Sequence, residues 1–443
     1  MNYSFDTICA TATPLSTGGI GVIRVSGEDA IEIVQKIFNK KITPGVINHG
    51  WIVKDGGKID EVIVLPFAAP KSYTGENVAE IQTHGSPVVI NRILNMILEN
   101  GARLAQRGEF TKRAFLNRKI DLSQAEAVLD LINAKTSKSA QGAANNLSGA
   151  LGQKIDKIKN EISDILGRII ASLDFPEDVA EVEYDEIIEK INLVINEIEN
   201  ILKNAKIHNI LRQGIKIAIA GRPNAGKSSL FNALLNINRA IVTEIAGTTR
   251  DTITENIEIE GICATLIDTA GIREQGSDKV EKIGIEQSKS AIDDADIVLC
   301  LYDGERGIRE EDREIFNLAS EKKHILVRTK CDIAAQKERK EGEISVSSKT
   351  GEGIDELKKA IYKEITGLNP AGSEFLTNQR HQQCLKFALE ALNNALIGAK
   401  AGELQDLISI DLKAAVTNLS EISGEVITDN ILNNIFENFC IGK

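Results

Sequence analysis

A glycine-rich segment near the middle of the chain has the residue types and spacing of a phosphate-binding loop. Residues 221–228 read Gly-Arg-Pro-Asn-Ala-Gly-Lys-Ser, which fits the pattern G-x-x-x-x-G-K-S/T. The alternating apolar residues before the loop predict a strand, and residues 229–235 predict the start of a helix. A strand, a glycine loop and a helix N-terminus direct backbone N–H groups towards an anion. We therefore expect Lys227 to reach the β- and γ-phosphates of a nucleotide and the Ser228 hydroxyl to ligate Mg²⁺.

Four further segments follow the loop in the order that a GTPase requires. Residues 247–251 offer a threonine hydroxyl for Mg²⁺ and the γ-phosphate, and residues 268–271 place a carboxylate after a predicted strand. Asp332 can accept two hydrogen bonds from the N1 and N2 edge of guanine, which adenine cannot supply, and residues 347–349 support the base. The predicted GTP-binding residues are Asn224, Ala225, Gly226, Lys227, Ser228, Ser229, Thr243, Glu244, Ile245, Ala246, Gly247, Thr248, Thr249, Asp268, Thr269, Ala270, Gly271, Thr329, Lys330, Asp332, Ser347, Ser348 and Lys349.

Two positions depart from the usual GTPase pattern. Thr329 stands where an asparagine is usual, and its hydroxyl lacks the second group of an amide, so we expect lower guanine affinity with specificity kept by Asp332. Ile272 stands where Ras-type enzymes place a glutamine that orients the attacking water. We expect instead that Asn224 and backbone carbonyls of residues 241–249 hold a monovalent cation against the phosphates. That cation would supply the charge that an arginine finger supplies elsewhere.

The chain before the loop predicts two differently built segments. Two polar patches in the first, residues 71–76 and 107–115, are most simply interpreted as surface loops or capped helix starts. From about residue 121 the pattern becomes helical, with apolar residues at three- and four-residue steps. The predicted elements of residues 1–118 are strands at 19–25, 49–53 and 60–67 and helices at 29–38 and 87–99, which is a mixed α/β pattern.

The chain after the loop alternates strands and helices and then becomes helical again from residue 373. The alternation predicts a doubly wound sheet. Two helical segments therefore flank an α/β region. Either the second helical segment packs back on the first, which makes the α/β region an insertion, or the two segments are separate helical modules. Helical periodicity alone allows both arrangements.

Bulk composition excludes several classes of protein. The 443 residues carry a net charge of −12, which argues against a generally basic nucleic-acid-binding surface. The six cysteines form no C-x-x-C pair, which fits a reducing cytoplasm and argues against a disulfide framework or a zinc site. The N-terminus lacks a signal-peptide pattern, and no apolar run reaches the roughly 18 residues that span a bilayer. The local basic patch of Arg107, Lys112, Arg113, Arg118 and Lys119 is interpreted as a solvated face.

The sequence also resembles a known family along essentially its whole length. The resemblance is carried by residues 18–27, 72–76, 80–85, 108–116 and 121–127, by the GTPase motifs and by the final Cys440-Ile441-Gly442-Lys443. On these motifs the chain resembles the tRNA-modification GTPases called MnmE or TrmE, which belong to the TrmE-Era-EngA type of GTPases. A C-terminal Cys-x-Gly-Lys after a GTPase domain is highly specific to this family.

The resemblance implies a fold and a set of residue roles. It implies an N-terminal α/β domain that dimerises and binds 5-formyl-tetrahydrofolate or another one-carbon tetrahydrofolate (residues 1–118), and a helical domain built from two chain segments (119–212 and 373–443). A Ras-like P-loop GTPase domain with a doubly wound sheet (213–372) is inserted in the helical domain. The implied residues are Arg24, Glu80, Lys119 and Lys443 for folate, Ser228 and Thr249 for Mg²⁺, Asn224, Thr243, Ile245 and Thr248 for K⁺, Glu281 for activating water, and Cys440 as a reactive thiol. Two departures from the family pattern are an extra residue around 275–277 and Arg118 in place of a frequent glycine.

The resemblance also implies an activity. The family works as a cytoplasmic homodimer with a flavin-containing partner, MnmG, which carries FAD, in a heterotetramer or larger complex with tRNA. Together they add a carboxymethylaminomethyl-type group to C5 of the wobble uridine (U34), driven by K⁺-dependent GTP hydrolysis. The alternative is a ribosome-assembly switch of the Era or EngA type without one-carbon chemistry. Such a switch would carry an RNA-binding module after the GTPase domain, whereas the tail here is helical and not notably basic.

Overall fold

The computed structural model describes residues 6–237, 254–268, 291–333, 342–367 and 375–443. The chain divides into two compact units. The first unit comprises Met1–Leu129, Gly152–Lys159 and Val416–Lys443, and the second comprises Asp130–Leu151 and Asn160–Ala415.

A six-stranded sheet forms the framework of the first unit. Neighbouring strands are antiparallel, except that the first strand in the sequence pairs in parallel with the last strand in the sequence. In the second strand, the fully buried Ile23 and Val25 flank Arg24, which points to the opposite face because side chains alternate along a strand. The strands are β1 (Ile8–Thr11), β2 (Gly18–Ser26), β3 (Asn48–Lys54), β4 (Gly57–Phe67), β5 (Val78–Gly85) and β6 (Arg103–Leu104), in the order β3-β4-β5-β2-β1-β6.

Helices cover both faces of this sheet. On one face, α1 (Ala30–Ile37) and α2 (Pro87–Glu99) bury the main apolar core of the unit. On the other face, α3 (Glu109–Leu116) packs the fully buried Phe110 against Ile8 of β1. The face towards which Arg24 points therefore carries its own small apolar cluster.

The last residues of the chain complete the first unit. α14 (Asp429–Phe436) leads into them, and Ile441 forms an antiparallel bridge with Arg107. The backbone of Gly442 passes so close to Thr11 that a Cβ atom on the glycine would lie 2.1 Å from the Thr11 carbonyl oxygen. The chain end is thus held against the N-terminal sheet.

A second six-stranded sheet forms the α/β part of the second unit. One edge pair is antiparallel, and all other neighbouring strands are parallel. Helices α9 (Lys227–Ile237) and α11 (Ile354–Thr366) pack on one face and α10 (Glu310–Ala319) on the other, which makes the sheet doubly wound. The strands are β7 (Ile215–Gly221), β8 (Thr254–Ile259), β9 (Ile262–Asp268), β10 (Ile297–Asp303), β11 (His324–Thr329) and β12 (Glu343–Ser345), in the order β12-β11-β10-β7-β9-β8.

Helices that precede this sheet in the sequence and helices that follow it share one core within the second unit. The remaining helices are α4 (Leu122–Asn133), α5 (Ser137–Leu147), α6 (Ala150–Asp174), α7 (Tyr184–Lys203), α8 (Ala205–Gln213), α12 (Gln379–Ala401) and α13 (Gln405–Ser423). Buried residues of α6, α7, α12 and α13 meet in one cluster, formed by Ile162, Ile165, Ile191, Val194, Leu392 and Leu412. The α/β region is therefore inserted between two parts of one helical domain, and the predicted fold class is confirmed.

Candidate functional site

The phosphate loop lies between β7 and α9. Two of its residues have left-handed backbone conformations, Asn224 with a φ of 64° and Gly226 with a φ of 94°. Glycine adopts such values freely, and asparagine does so more readily than most other residues. α9 begins at Lys227, so the N-terminus of a helix, where backbone N–H groups favour an anion, directly follows the loop. Strand end, loop and helix start together form the backbone arrangement of a phosphate site.

The Lys227 side chain is folded over the loop. Its Nζ donates hydrogen bonds to the carbonyl oxygens of Gly221 at 2.7 Å and Arg222 at 2.9 Å. Ser228 and Ser229, which follow it on the first turn of α9, have exposed side chains. The ammonium group and the exposed hydroxyls therefore lie on the same short stretch as the N-terminus of α9.

Two contacts anchor the loop to neighbouring elements. Arg222 donates a hydrogen bond from Nε to Oδ1 of the fully buried Asp312 on α10, 2.7 Å away. Thr329 Oγ1 lies 2.7 Å from the carbonyl oxygen of Ala225 and 3.0 Å from that of Tyr302. Because a hydroxyl has one hydrogen, Thr329 donates to one of these oxygens at a time, and the shorter distance favours Ala225. The segment that is predicted to read the base is thereby joined to the phosphate loop.

Side chains at or just after the ends of β10, β11 and β12 form a polar cluster at the same edge of the sheet. Lys330 Nζ donates a hydrogen bond to Oδ2 of Asp303 at 2.7 Å. Burial raises the pKa of Asp303, but the hydrogen bonds from Lys330 and from the N–H of Glu305 outweigh it, so the pKa lies below its ordinary value. Asp332 is exposed and accepts a hydrogen bond at 2.8 Å from the buried hydroxyl of Ser347. This bond orients the carboxylate that is predicted to bind guanine.

The parallel strands explain why these residues meet. β7, β9, β10, β11 and β12 run in one direction, so the residues that follow them lie at one edge of the sheet. Each predicted segment lies at or directly after one of these strand ends: residues 221–228, Asp268, residues 329–332 and residues 347–349, with Ser348 half-buried and Lys349 exposed. The other predicted nucleotide, metal and catalytic residues lie outside the described part of the chain: Thr243, Glu244, Ile245, Ala246, Gly247, Thr248, Thr249, Thr269, Ala270, Gly271 and Glu281.

Sequence reasoning missed two acidic residues at this edge. Asp303 pairs with Lys330, and Asp312 holds Arg222. Asp303 could have been found from the sequence, because it is the last residue of a strand whose other residues are all apolar. No sequence signal identifies Asp312, because its helix also begins with two other acidic residues. Only the folded structure shows which of the three is buried against Arg222.

A second candidate site surrounds Arg24 on the sheet of the first unit. Its guanidinium donates a hydrogen bond at 2.8 Å to Glu80 on the adjacent strand β5. It also lies over the rings of Tyr73, at 5.0 Å, and Phe110, at 5.7 Å, which are cation–π distances. The Nη1 atom is buried and has no hydrogen-bond partner among the described residues. A buried donor without a partner is unfavourable, so this nitrogen would gain from an acceptor group on a ligand.

The chain end brings another cation to this site. Burial lowers the pKa of Lys443, and the positive charge of Arg24 lowers it further, whereas Glu80 and Cys440 act in the opposite direction. Lys443 is therefore close enough to Arg24 and Glu80 for their charges to act on it. The site gathers two cations, a carboxylate and two aromatic rings from four separate parts of the chain.

A buried ion network holds the loop that carries Tyr73. Arg113 has a side chain that is 1% exposed and donates hydrogen bonds to Glu76 at 3.2 Å and to Glu109 at 2.9 Å. Burial raises the pKa of Glu109, but hydrogen bonds from Arg103, a backbone N–H and Arg113 outweigh it and lower the pKa to about 2. Arg113 is thus a buried cation, and its assignment to a solvated basic face is wrong.

Two candidate residues lie in different surroundings. Lys119 Nζ donates a hydrogen bond to the carbonyl of Pro70 at 3.0 Å. Its ammonium group is therefore bound to the loop before Tyr73 and does not take part in the contacts around Arg24. Cys440 is exposed, whereas Cys331 is half-buried and Cys9, Cys263, Cys300 and Cys384 are buried.

Within the described residues, no group of three or more His, Cys, Asp or Glu side chains is placed to hold a metal ion. None of the helices in that part of the chain is long and apolar enough to cross a membrane.

Comparisons with known proteins cover nearly the whole chain. Residues 7–119 match the family described as the GTP-binding protein TrmE N-terminus, and residues 122–440 match the MnmE helical domain. The tRNA modification GTPase MnmE of Lactobacillus delbrueckii subsp. bulgaricus is 44% identical, over 99% of this chain and 98% of its own. The protein of the same name from Thermotoga maritima is 40% identical, over 99% of this chain and 100% of its own. Among solved structures, the G domain of the T. maritima FeoB iron transporter is 30% identical over 34% of this chain and 98% of that chain, with a TM-score of 0.27.

The family matches span the residues of both candidate sites. The N-terminal match contains Arg24 and Glu80, and the helical-domain match encloses the phosphate loop at Lys227 and ends at Cys440. The identity to the two relatives extends over almost their full length. The chain therefore belongs to the MnmE (TrmE) family of tRNA modification GTPases.

Proposed function

We propose that this GTPase, with a flavin-containing partner of the MnmG kind, adds a carboxymethylaminomethyl-type group to C5 of the wobble uridine (U34) of certain tRNAs. A tetrahydrofolate, 5-formyl-tetrahydrofolate or another one-carbon form, supplies the carbon unit. K⁺-dependent GTP hydrolysis drives the working cycle. The observation that carries the proposal is that one chain combines a phosphate loop at Lys227 with a cation–aromatic site at Arg24.

The Arg24 site has the chemical groups that a reduced folate needs. The rings of Tyr73 and Phe110 offer apolar faces beside a guanidinium whose Nη1 lacks a partner among the described residues. The ammonium of Lys443 adds a second positive charge close by, and both cations suit the carboxylates of a folate tail. Bound there, the folate would supply the one-carbon unit, while Arg24, Glu80 and Lys443 would bind and orient it. Lys119, on the neighbouring loop, is assigned to the same ligand on the family resemblance.

The phosphate loop has the groups that GTP and Mg²⁺ need. Lys227 and the backbone N–H groups at the start of α9 would bind the phosphates, and the hydroxyls of Ser228 and Thr249 would ligate Mg²⁺. Mg²⁺ neutralises the charge that develops on the phosphate oxygens during transfer. The exposed carboxylate of Asp332, oriented by Ser347, would accept the N1 and N2 hydrogens of guanine.

A K⁺ ion is assigned to Asn224, Thr243, Ile245 and Thr248. The exposed amide of Asn224 stands at a left-handed position of the phosphate loop and can present its oxygen to a cation beside the phosphates. K⁺ would supply positive charge at the point where Ras-type enzymes receive an arginine finger. Glu281 would orient the attacking water, because Ile272 cannot do so.

The remaining assignments concern partners and location. We assign the protein to the cytoplasm as a homodimer that binds tRNA and an FAD-containing MnmG-like protein in a heterotetramer or larger complex. The exposed Cys440, three residues before Lys443 in the chain, is assigned to the uridine chemistry. The second candidate function is a ribosome-assembly switch of the Era or EngA type. The unpartnered Arg24 Nη1 beside two aromatic rings favours the first function, because a pure switch has no use for that site.

The deciding experiment is mass spectrometry of wobble uridines from cells that lack the gene. Wild-type protein should restore the C5-modified nucleoside, whereas Arg24→Ala and Lys227→Ala should not. Arg92→Ala, which alters an exposed arginine on α2 of the same unit, is the matched control and should restore it. Unchanged wobble uridines together with an altered ribosome profile in the deleted strain would instead support the ribosome-assembly function.

A further inference from the structure

The first turn of α5 binds the turn that connects β8 and β9. Glu260 and Gly261 form this turn, and both have left-handed backbone conformations, with φ values of 50° and 86°. Thr136 Oγ1 donates a hydrogen bond to the carbonyl of Gly261 at 2.9 Å, and Lys138 Nζ donates one to the carbonyl of Glu260 at 2.9 Å. Both carbonyl oxygens of the turn are therefore bound by the helical domain.

The contact is close and specific. A Cβ atom on Gly261 would lie 2.2 Å from Cδ of Lys138, so the glycine backbone and the lysine chain are in direct contact. Thr136 is also the N-cap of α5 and accepts a hydrogen bond from the N–H of Ser139 at 3.2 Å. Its single hydroxyl hydrogen has two acceptors within reach, the Gly261 carbonyl at 2.9 Å and Ser139 Oγ at 3.2 Å, and the shorter distance favours Gly261. A left-handed conformation is unfavourable for a residue such as Glu260, and the hydrogen bond from Lys138 helps to stabilise it.

The hairpin that ends in this turn joins the two segments that are expected to contact the γ-phosphate. Thr249 lies five residues before β8, which starts at Thr254, and β9 ends at Asp268. The two strands are paired along their whole length, from Thr254 with Ile267 to Ile259 with Ile262. β9 is also paired with β7, from Ala264 to Asp268, whereas β8 is the edge strand, so a displacement at the nucleotide end would pass along β8 to the turn. Nucleotide-dependent movement would therefore act on Thr136 and Lys138.

The other end of α5 binds the segment by which the chain leaves the α/β sheet. Asn146 Nδ2 donates a hydrogen bond to the carbonyl of Leu376 at 2.7 Å, and its Oδ1 accepts the N–H of Leu376 at 3.2 Å. Leu376 is 2% exposed and packs on Gly142, where a Cβ atom would lie 2.6 Å from Leu376 Cγ. Two residues later, Asn378 is the N-cap of α12. One short helix thus connects the hairpin turn to the start of α12.

We propose that α5 is a coupling element of the GTPase, with Thr136 and Lys138 as positioning residues. They hold the hairpin at its turn, and Asn146 passes its displacement through Leu376 to α12. Coupling between two sites is reciprocal, so α12 would also bias the hairpin between its GDP and GTP positions. The inference rests on the nucleotide site proposed above. Measuring nucleotide binding to each variant directly distinguishes a failure of the coupling proposal from a failure of the proposed nucleotide site.

The test is hydrogen–deuterium exchange on the full-length protein with Mg²⁺ and K⁺, bound either to GDP or to a non-hydrolysable GTP analogue. In the wild type, amide exchange of residues 375–384 should differ between the two nucleotides. In the double variant Thr136→Val, Lys138→Met this difference should fall by at least about fivefold, the lower end of usual coupling factors. Ser137→Ala and Gln141→Ala alter exposed side chains of the same helix and should keep the difference. Thr136→Ser retains the hydroxyl and should also keep it.

Binding of a fluorescent nucleotide, measured in parallel, makes the outcomes distinct. Unchanged nucleotide affinity with a lost exchange difference supports the coupling. A full wild-type difference in the double variant, or no difference in the wild type despite bound nucleotide, overturns it. Failure of the wild type to bind nucleotide contradicts the proposed site instead. If the double variant does not fold, the single variant Lys138→Met, which removes one of the two contacts, gives the deciding comparison.

Discussion

The backbone N–H of Thr377 donates a hydrogen bond to Nδ1 of His208, 3.2 Å away. Since Nδ1 accepts this bond, the imidazole is neutral and carries its hydrogen on Nε2. His208 is 1% exposed, and burial lowers its pKa from 6.5 to about 4. The pair joins α8, which precedes the α/β sheet, to the segment that follows the sheet. The points where the chain enters and leaves the inserted region are therefore bonded to each other.

This histidine predicts a pH dependence of stability. In the unfolded chain His208 takes up a proton near pH 6.5, whereas in the folded chain it stays neutral down to about pH 4, so the unfolded state binds more protons between these values. The stabilisation is complete above pH 6.5 and is lost as the pH falls towards 4, by up to about 3 kcal/mol. Thermal unfolding of wild type and His208→Gln between about pH 4.5 and 7.5 measures it. The wild type should lose more stability than the variant on acidification, and a pH-independent difference between them would contradict the assignment.

Thr329 predicts a link between base and phosphate binding. Thr329→Val removes the hydrogen bond to Ala225 and leaves a buried carbonyl without that donor, which we expect to weaken GTP binding roughly tenfold. Thr329→Ser keeps the hydroxyl and should bind within about twofold of the wild type. Isothermal titration with GTP measures both. Equal affinity of the valine variant and the wild type would show that the bond does not support the loop.

Arg24 predicts a loss of folate binding that leaves the GTPase intact. Arg24→Ala removes the guanidinium between Tyr73, Phe110 and Glu80, and we expect 5-formyl-tetrahydrofolate to bind at least about tenfold more weakly. Basal GTP hydrolysis should be unchanged. Equilibrium dialysis with the folate gives the affinity, and Arg92→Ala serves as the surface control. If the wild type binds no folate at all, the one-carbon part of the proposed function fails.

Gly442 predicts that the chain end supports the Arg24 site. A methyl group at this position would meet the Thr11 carbonyl, and the φ of 96° is unfavourable for alanine, so Gly442→Ala should displace the last residues. Lys443 would then leave the neighbourhood of Arg24, and folate affinity should fall while GTP hydrolysis persists. Ile441→Ala, which truncates an exposed neighbouring side chain, is the control. Wild-type folate affinity in the glycine variant would remove Lys443 from the site.

The cation proposal predicts a dependence of turnover on the monovalent salt. GTP hydrolysis should be fast in K⁺ and slow in Na⁺ at equal ionic strength, because K⁺ at Asn224 would supply charge during phosphoryl transfer. Nucleotide affinity should change much less than the turnover rate. Steady-state phosphate release in the two salts measures the effect. Equal rates in K⁺ and Na⁺ would exclude the ion from the mechanism.

The α/β sheet of the second unit was predictable because its signals are local. The strand, loop and helix around Lys227 are contiguous in the chain, and β10 is a buried strand with a continuous apolar run. Strand β5 was not predicted, although buried residues alternate with less buried ones from Ala79 to Gly85. Its place between β4 and β2 depends on pairing partners elsewhere in the chain.

The surroundings of Arg24 could not be predicted from spacing. Glu80 is 56 residues away in the chain, and Lys443 comes from the opposite end of the sequence. The family resemblance named these residues, but not the rings of Tyr73 and Phe110 over the guanidinium. Contacts of that kind follow from the fold as a whole and leave no periodic pattern.

The first unit is assembled from both ends of the sequence, which has a consequence for its folding during synthesis. Lys112 on α3 donates a hydrogen bond to Asn433 on α14, a contact that spans 321 residues. At usual rates of translation, about 15 to 60 s separate the synthesis of these two residues. During that time the N-terminal sheet has left the ribosome, but Gly108 still lacks its packing partners Phe436 and Phe439. The N-terminal unit can therefore finish folding only after translation of the second unit, and prematurely terminated chains would contain no complete N-terminal unit.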